Sequence, residues 1–386
     1  MAAAEIVFAF DARIDQPPCP VDMPRDRRQR FAKAAMSALD AAFADATNRK
    51  ARALVLFGDV LDPSRVSPAQ AADLADTIEA FAAEGRVVVA TASTREAAEE
   101  LATALGEPPG LRVLTPRSPV RLPHGSLTVE LACDTPYDVV VTTIVAPLLD
   151  RPHIEEAESA SSSRPQVVAR GIVCGQRDRT RRQLPEASPH ETLWTLPSLQ
   201  PRNRHEHGPG VAASLAISSE GRLGDFSVVP TAVVSWQDVR TVCSATEQEE
   251  ELSATAAAEM EQAVSRCQTP LVITRLLVDC EGNAERRGRV SRMAHAVLAE
   301  MRQLLETSPV DAGTTLAWCE QVEADPAESL DPIAEAEDIG GSQRFPAMLA
   351  EEAATWPLDS AGDERVDPAA VVREAAWMTL ELLNDD

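Results

Sequence analysis

The sequence has few of the features that are typical of nucleic-acid-binding proteins or of membrane proteins. Only two of its 36 basic residues are lysines, Lys33 and Lys50, and its formal net charge at pH 7 is −25. A phosphate backbone selects a basic surface, so this chain is a poor candidate for holding DNA by bulk electrostatics. No apolar run reaches the roughly 18 residues that a membrane-spanning helix requires. The acidity favours solubility, and work on nucleic acid would need a partner or a local arginine cluster to supply positive charge.

The cysteines are too scattered to indicate disulfides or a zinc site. The chain has seven, an odd number, and none of them forms a Cys-x-x-Cys pair. The amino-terminal stretch MAAAEIVFAF has no basic region before its apolar run, so it does not resemble a secretory signal. We therefore expect a cytoplasmic protein with reduced thiols that mostly fill core positions: Cys19, Cys133, Cys174, Cys243, Cys267, Cys280 and Cys319.

Residues 1–243 are predicted to form an α/β domain. They begin with a repeated order of apolar strand, polar tip and helix, with strands at 5–10, 53–57 and 86–92 and a helix over 26–48. Ser67-Pro68-x-Gln70 has the residues of a capping box and predicts the start of another helix. From about residue 110 the pattern changes to β-branched strands. We expect a β-sandwich flanked by helices.

The remaining chain is predicted to form a small α+β domain, 244–326, followed by an acidic linker and C-terminal helices, 327–386. The first of these segments contains an acidic helix, the strand PLVITRLLVDC, a helix over 288–306 and the strand TTLAWCEQVEA. Most of the negative charge lies here, with a net of −20 over 241–386. The last helix has apolar residues on more than one face, so it must pack against its own domain or against a partner protein.

Polar tips follow four of the apolar strands. In an open α/β sheet, ligands bind beyond the carboxyl ends of the strands, so the four tips are expected to converge on one site. A single polar residue after a strand is usually only a turn, and the order and spacing of the four carry the information. The tips are Asp11-Ala-Arg13, Gly58-Asp59-Val-Leu-Asp62, Ser93-Thr94-Arg95-Glu96 and Gly175-Gln176-Arg177-Asp178.

In this order the tips resemble the motifs of the calcineurin-like metallophosphoesterases, specifically the SbcD-type DNA-repair nuclease subunits. That family has an Asp-x-His tip, a Gly-Asp-x-x-Asp turn, a Gly-Asn-His-Asp tip and a Gly-His-x-His tip. RALVLFGDVLDPS and EGRVVVATASTRE are similar to the family around the second and third tips, and LPSLQPRNRHEHGPG is similar to a later stretch. The resemblance spans most of 1–285. It implies a calcineurin-like β-sandwich with a capping domain and C-terminal helices, and a nuclease that works with an SbcC-type ABC ATPase.

Most of the metal ligands that the resemblance implies are replaced. Asp11, Asp59 and Asp178 are the remaining candidate ligands, Asp178 standing where the family has a histidine. The other matching positions hold Arg13, Thr94, Arg95, Glu96 and Gln176. A two-metal phosphodiesterase holds its ions roughly 3.5–4 Å apart with a bridging carboxylate, and a permanently charged guanidinium would repel such ions. We therefore expect an eroded, metal-free and inactive site in which Arg13 and Arg95 pair with Asp11 and Asp59.

Three other groups of residues are candidates for function. Arg177, Arg179, Arg181 and Arg182, with Arg170 nearby, form a basic patch that is either a solvated loop or a set of phosphate contacts. His205-Glu206-His207 looks like a metal triplet, but its place in a turn-rich stretch favours an ordinary loop. Cys174 precedes a tip with no histidine close in sequence, so we expect a structural thiol.

The sequence therefore leads to one expectation and two alternatives. We expect a scaffold or regulatory partner of an SbcC-type ATPase in DNA end processing, docked through residues 344–384 and without a cofactor. The first alternative is a weakly active nuclease that binds Mn²⁺ or Mg²⁺ through Asp11, Asp59, Asp62 and Asp178. The second is a protein unconnected with DNA that has reused the fold to bind an acidic ligand between the two arginines.

Overall fold

The structure is a computed structural model that describes two compact units of the chain. The described residues are 4–18, 23–116, 118–122, 127–131, 137–145, 166–176, 192–203, 206, 209–218, 222–243, 249–280, 293, 296–300, 302–303 and 316–326. The units are Met1–Ser235 and Trp236–Asp386. The acidic linker and C-terminal helices predicted over residues 327–386 lie outside the described residues. Among the described residues, no helix is long and apolar enough to cross a membrane.

The first unit alternates strands and helices and then continues as strands. Its elements are β1 (Ala4–Phe10), α1 (Arg25–Ala32), α2 (Ala34–Asn48), β2 (Ala53–Phe57), α3 (Pro68–Ala82), β3 (Val87–Thr91), α4 (Arg95–Ala104), β4 (Leu111–Leu114), β5 (Val120–Arg121), β6 (Leu127–Leu131), β7 (Asp138–Val145), β8 (Gln166–Gln176), β9 (Thr192–Pro197), β10 (Val211–Ile217) and β11 (Leu223–Pro230). The helix predicted over 26–48 is interrupted at Lys33, which caps both α1 and α2. The predicted capping box is confirmed at Ser67 and Gln70.

Two sheets form the first unit. The larger has the order β11-β10-β1-β2-β3-β4, in which β1 to β4 are parallel and β10 runs antiparallel to β1. The smaller has the order β5-β6-β7-β8-β9. Strands β2 and β3 are buried along their whole length, as the continuous apolar runs in the sequence require.

Each face of the larger sheet has its own core. Val7 and Ala9 of β1 pack with residues of α2 and α3, whereas Phe8 and Phe10 join a cluster with residues of β6, β7, β8 and β9. The alternation follows from the period of two along a strand. The general prediction of a mixed α/β fold is confirmed.

Two glycines leave room for the ring of Phe10, Gly175 on the facing sheet and Gly58 after the neighbouring strand β2. A Cβ atom on Gly175 of β8 would lie 2.0 Å from Cε2 of Phe10, and one on Gly58 would lie 2.7 Å from the same atom. Gly58 also has a φ of +79°, which favours glycine. The ends of β1, β2 and β8 are therefore packed together directly behind Asp11.

The second unit contains a three-stranded sheet and helices. Its elements are β12 (Val234–Cys243), which begins just before the division, α5 (Glu249–Arg266), β13 (Leu271–Cys280) and β14 (Leu316–Pro326). The sheet order is β12-β13-β14, with β13 parallel to β14. Its core joins Leu252 of α5, Leu276 of β13 and Cys319 of β14 with Val297.

Candidate functional site

The loop after β1 is held against the loop after β2. The backbone N–H of Asp11 donates to the Phe57 carbonyl (2.8 Å), and that of Arg13 donates to the Asp59 carbonyl (3.1 Å). Asp11 and Arg13 have φ angles of 55° and 36°, in the left-handed region that aspartate tolerates better than arginine. The first two tips therefore converge, as the sequence predicts for parallel neighbours.

Asp11 is fully buried and is paired on both carboxylate oxygens. Its Oδ1 accepts from Nε of Arg13 (3.2 Å) and from the backbone N–H of Asp59 (3.2 Å). Its Oδ2 accepts from Nη2 of Arg202 (2.8 Å). A buried carboxylate is stable only when it is hydrogen-bonded and paired, and here two guanidinium groups do this.

Arg13 bridges the tips of β1 and β2. While Nε donates to Asp11, Nη2 donates to Oδ2 of Asp59 and Nη1 donates to Gln16 (3.1 Å). These three bonds hold the arginine side chain between the two acids. The prediction that Arg13 pairs with Asp11 and Asp59 is confirmed.

The second cation of the site is Arg202, from the segment that follows β9. Its side chain is only 10% exposed and forms an i,i+4 ion pair with Glu206, which is 5% exposed. Glu206 also accepts from Oγ of Ser198 (3.1 Å) and from the backbone N–H of Arg202 (3.2 Å). The segment is joined to β1 by the Leu199 N–H, which donates to the Phe10 carbonyl (2.7 Å). We call Asp11, Arg13, Asp59, Arg202 and Glu206 the arginine–carboxylate cluster.

The third tip does not join the cluster. Thr94 caps α4 by accepting from the Ala97 N–H (3.1 Å), which makes Arg95 the first residue of the helix. Arg95 is 85% exposed and pairs with Glu99 one turn later (3.0 Å). The expected pairing of Arg95 with Asp11 or Asp59 is wrong, because the start of the helix directs this side chain into solvent. Glu96 is exposed in the same first turn.

The fourth tip is only partly described. Gly175 lies against Phe10, and its N–H donates to the Tyr137 carbonyl (2.8 Å), so the backbone at the end of β8 is close to β1. Gln176 is the last residue of β8. Asp178, His205 and His207 lie outside the described residues. So do the four arginines predicted as phosphate contacts, Arg177, Arg179, Arg181 and Arg182.

Two other residues singled out in the sequence, Cys174 and Arg170, lie on strand β8. Cys174 is buried beside Val140 and Ile172, as expected for a structural thiol. Arg170 is exposed, and its Nη2 lies 3.7 Å from Glu130.

Asp62 holds the turn after β2. Its Oδ1 accepts from the Ser64 Oγ (2.6 Å) and N–H (2.9 Å). The Ser64 hydroxyl is the main cause of the lowered pKa of Asp62, because hydrogen bonds to a carboxylate favour its ionised form. The Asp62 N–H donates to Asp15 (3.0 Å), so this acid connects neighbouring loops.

The chemistry of the cluster is that of fixed charges. It contains two guanidinium groups and three carboxylates, which leaves a formal charge of −1. Guanidinium groups stay protonated at all ordinary pH values, so Arg13 and Arg202 are neither metal ligands nor proton acceptors. Within the described part of the chain, no group of three or more His, Cys, Asp or Glu residues has the geometry to hold a metal ion.

Arg202 was not predicted as a site residue, and Glu206 was considered only within the triplet His205-Glu206-His207, which was expected to be an ordinary loop. The signal in the sequence was their opposite charge at i,i+4 spacing, in a stretch already similar to a family motif.

No protein-family model matches the chain, and no curated protein sequence is significantly similar to it.

Proposed function

We propose that this protein is a relative of the SbcD-type calcineurin-like phosphoesterases in which arginines have replaced the two metal ions. It acts as a non-hydrolysing scaffold or regulatory partner of an SbcC-type ATPase in DNA end processing. The observation that carries the proposal is the position of Arg13, hydrogen-bonded to both Asp11 and Asp59 at the carboxyl ends of two parallel strands.

Electrostatics supports the loss of the metals. In a two-metal site, a bridging carboxylate stabilises two adjacent cations that activate water and offset the charge of the transition state. Here the two acids already accept from Arg13, and Asp11 also accepts from Arg202. A divalent ion would have to displace a buried guanidinium from the two acids and then lie beside that positive charge. Both steps raise the free energy of the bound ion.

The fold supports the family assignment. The two sheets of the first unit share one apolar core, and the helices α2 and α3 cover the other face of the larger sheet. This arrangement suits the calcineurin-like β-sandwich flanked by helices. The cluster also lies beyond the carboxyl ends of β1 and β2, where open α/β sheets bind ligands.

The ATPase partner is the part of the proposal that rests on the resemblance. Residues 344–384 occupy the place in the sequence where the family has its docking helices. An SbcC-type partner would also supply the basic surface that a chain of charge −25 lacks. Deleting the chain from residue 344 should abolish co-purification with the candidate ATPase, and association that survives the deletion would remove the case for docking.

A manganese assay tests the loss of hydrolysis. We expect the wild-type protein to show no Mn²⁺-dependent cleavage of single- or double-stranded DNA, with or without the ATPase. Mn²⁺-dependent cleavage that is abolished by Asp59→Asn but not by Asp225→Asn would refute the proposal and favour the weakly active nuclease. Asp225 is a suitable control because it is an exposed aspartate on β11, outside the cluster.

A second variant tests whether Arg13 stands in for a cation. Arg13→Ala leaves Asp11, Asp59 and Glu206 with Arg202 alone, a formal charge of −2. We expect Mn²⁺ to raise the Tm of this variant and not that of the wild type, since a ligand that binds only the folded state stabilises it. The added Asp59→Asn substitution should remove the shift.

A further inference from the structure

A second charged site lies at the opposite end of the larger sheet. A groove of about 750 Å³ is formed where β1, β2 and β3 begin, and four of its residues are basic and two are acidic. The lining comprises Glu5, Thr47, Arg49, Lys50, Ala51, Arg52, Glu84, Gly85, Arg86 and Ala216. It lies about 20 Å from the arginine–carboxylate cluster, since six residues of strand separate Glu5 from Asp11 at about 3.3 Å each. A lining charge of +2 stands out in a chain whose net charge is −25.

Two of the arginines form rigid walls of this groove. Arg86 donates to Oγ1 of Thr47 (3.2 Å), pairs with Glu84 and stacks its guanidinium over Phe81 at 5.0 Å from the ring centre. Arg49 pairs with Asp45, one turn earlier in α2 (2.8 Å). Their positions are fixed before any ligand arrives, which lowers the entropy lost on binding.

Lys50 is placed differently. Its side chain is exposed and has no hydrogen-bond or ion-pair partner among the described residues. Its φ is +54°, at the position after α2 where the Ala51 N–H donates to the Ala46 carbonyl (2.8 Å) and the Lys50 N–H to the Thr47 carbonyl (3.0 Å). This is the Schellman ending of a helix, in which glycine is the preferred residue.

A lysine at a position that favours glycine destabilises the turn, and a role for its side chain in binding would account for its presence. Left-handed backbone is unfavourable for residues with a Cβ, and residues in such strained conformations cluster at active and ligand-binding sites. The chain has only one other lysine. The Schellman bonds also satisfy carbonyls at the end of α2, so Lys50 is not needed to cap them.

We propose that this groove binds a small phosphate-bearing anion, with Lys50 as the mobile cation that contacts the phosphate. A lysine ammonium is a common phosphate ligand, and the volume falls within the range of small-molecule pockets. A small ligand suits the site better than a nucleic acid strand, because the positive charge is confined to the lining of the groove whereas the chain as a whole carries a net charge of −25.

Titration calorimetry on the full chain at low ionic strength tests the proposal, with inorganic pyrophosphate as the probe. We expect saturable binding that weakens as salt is added and falls about tenfold or more in Lys50→Gln. Lys33→Gln is the matched control, since it removes the same charge from an exposed lysine outside the groove and should leave the affinity unchanged.

Lys50→Gly separates binding from folding. This variant should raise Tm by about 2–4 °C, because it relieves the left-handed lysine, and should still lose pyrophosphate binding. ADP that binds as tightly as pyrophosphate would show that the phosphates alone are recognised, whereas tighter binding of ADP would identify a nucleotide.

Several results would overturn the proposal. These are the absence of saturable binding at millimolar pyrophosphate, equal losses in Lys50→Gln and Lys33→Gln, and undiminished affinity in Lys50→Gly. Binding of a 12-nucleotide single strand without binding of pyrophosphate or ADP would also overturn it, in favour of a nucleic-acid surface.

Discussion

Replacing Arg202 with methionine should destabilise the first unit strongly. Methionine keeps much of the apolar stem but leaves Oδ2 of Asp11 without the Arg202 donor and breaks the ion pair with Glu206. Removing one partner of a buried ion pair typically destabilises a protein by about 3–5 kcal/mol. Both carboxylates keep other donors, so we expect the lower end, about 3 kcal/mol. For a unit of this size, such a loss lowers Tm by roughly 6–12 °C.

Thermal and urea denaturation, followed by circular dichroism, measure this loss. Arg95→Met is the matched control, because Arg95 and Glu99 form an ion pair with the same i,i+4 spacing on α4. That pair is exposed, at 85% and 67% for its two side chains, against 10% and 5% for Arg202 and Glu206. Exposed pairs of this kind contribute about 0.3–0.5 kcal/mol. Arg95→Met should therefore change Tm by no more than about 2 °C.

A double-mutant cycle decides whether the two residues act together. With Glu206→Gln as the second substitution, the cycle should give a coupling energy of about 1–3 kcal/mol, as for contacting charges in one network. The reasoning fails if Arg202→Met destabilises by less than about 1 kcal/mol, or if the two substitutions are additive within about 0.5 kcal/mol.

Two further predictions concern backbone and charge in the first unit. In urea denaturation, Gly58→Ala should lower the free energy of unfolding by about 1–3 kcal/mol more than Gly85→Ala does. Both glycines have nearly the same positive φ, but only at Gly58 would a Cβ atom meet the Phe10 ring. Equal losses in the two variants would contradict this reasoning. Asp40→Asn should raise stability at pH 7. Partial burial, and then the nearby charge of Asp73, raise the pKa of Asp40 in the folded state above its ordinary value of 3.8. The folded state therefore loses stability as pH rises from 3.8 through this raised pKa, because ionising the carboxyl is harder in the folded state than in the unfolded one. The gain in Tm should disappear near pH 3, where the carboxyl is neutral in both states, and a gain that persists there would refute this cause.

Local signals in the sequence predicted much of the first unit. The apolar runs at 53–57 and 86–92 predicted strands, and they are the interior strands β2 and β3, which are buried along their whole length. Ser67 and Gln70 predicted the start of α3 because a capping box depends only on residues three apart. The bridge made by Arg13 was also predictable, since Arg13 is two residues from Asp11 and parallel pairing brings Asp59 beside both.

The expected pairing of Arg95 failed because the residue before it, Thr94, is the cap of a helix. Thr94 ends the extended backbone and starts α4, so the side chain that follows belongs to a helix rather than to the tip of a strand. The sequence contained this information, in a cap residue followed by helix formers. The tip after β3 has a structural role at Thr94, and the resemblance alone did not reveal it.

Arg202 was beyond the reach of local signals. It is 191 residues from Asp11, and it lies in an irregular segment that has no periodicity to fix its orientation. Its i,i+4 spacing from Glu206 is shared by Arg95 and Glu99, so spacing alone does not distinguish a buried ion pair from a solvated one. The distinction comes from packing that brings the segment after β9 against the end of β1, through the bond from Leu199 to Phe10. The comparison of Arg202→Met with Arg95→Met therefore measures what that packing adds to two pairs that look alike in the sequence.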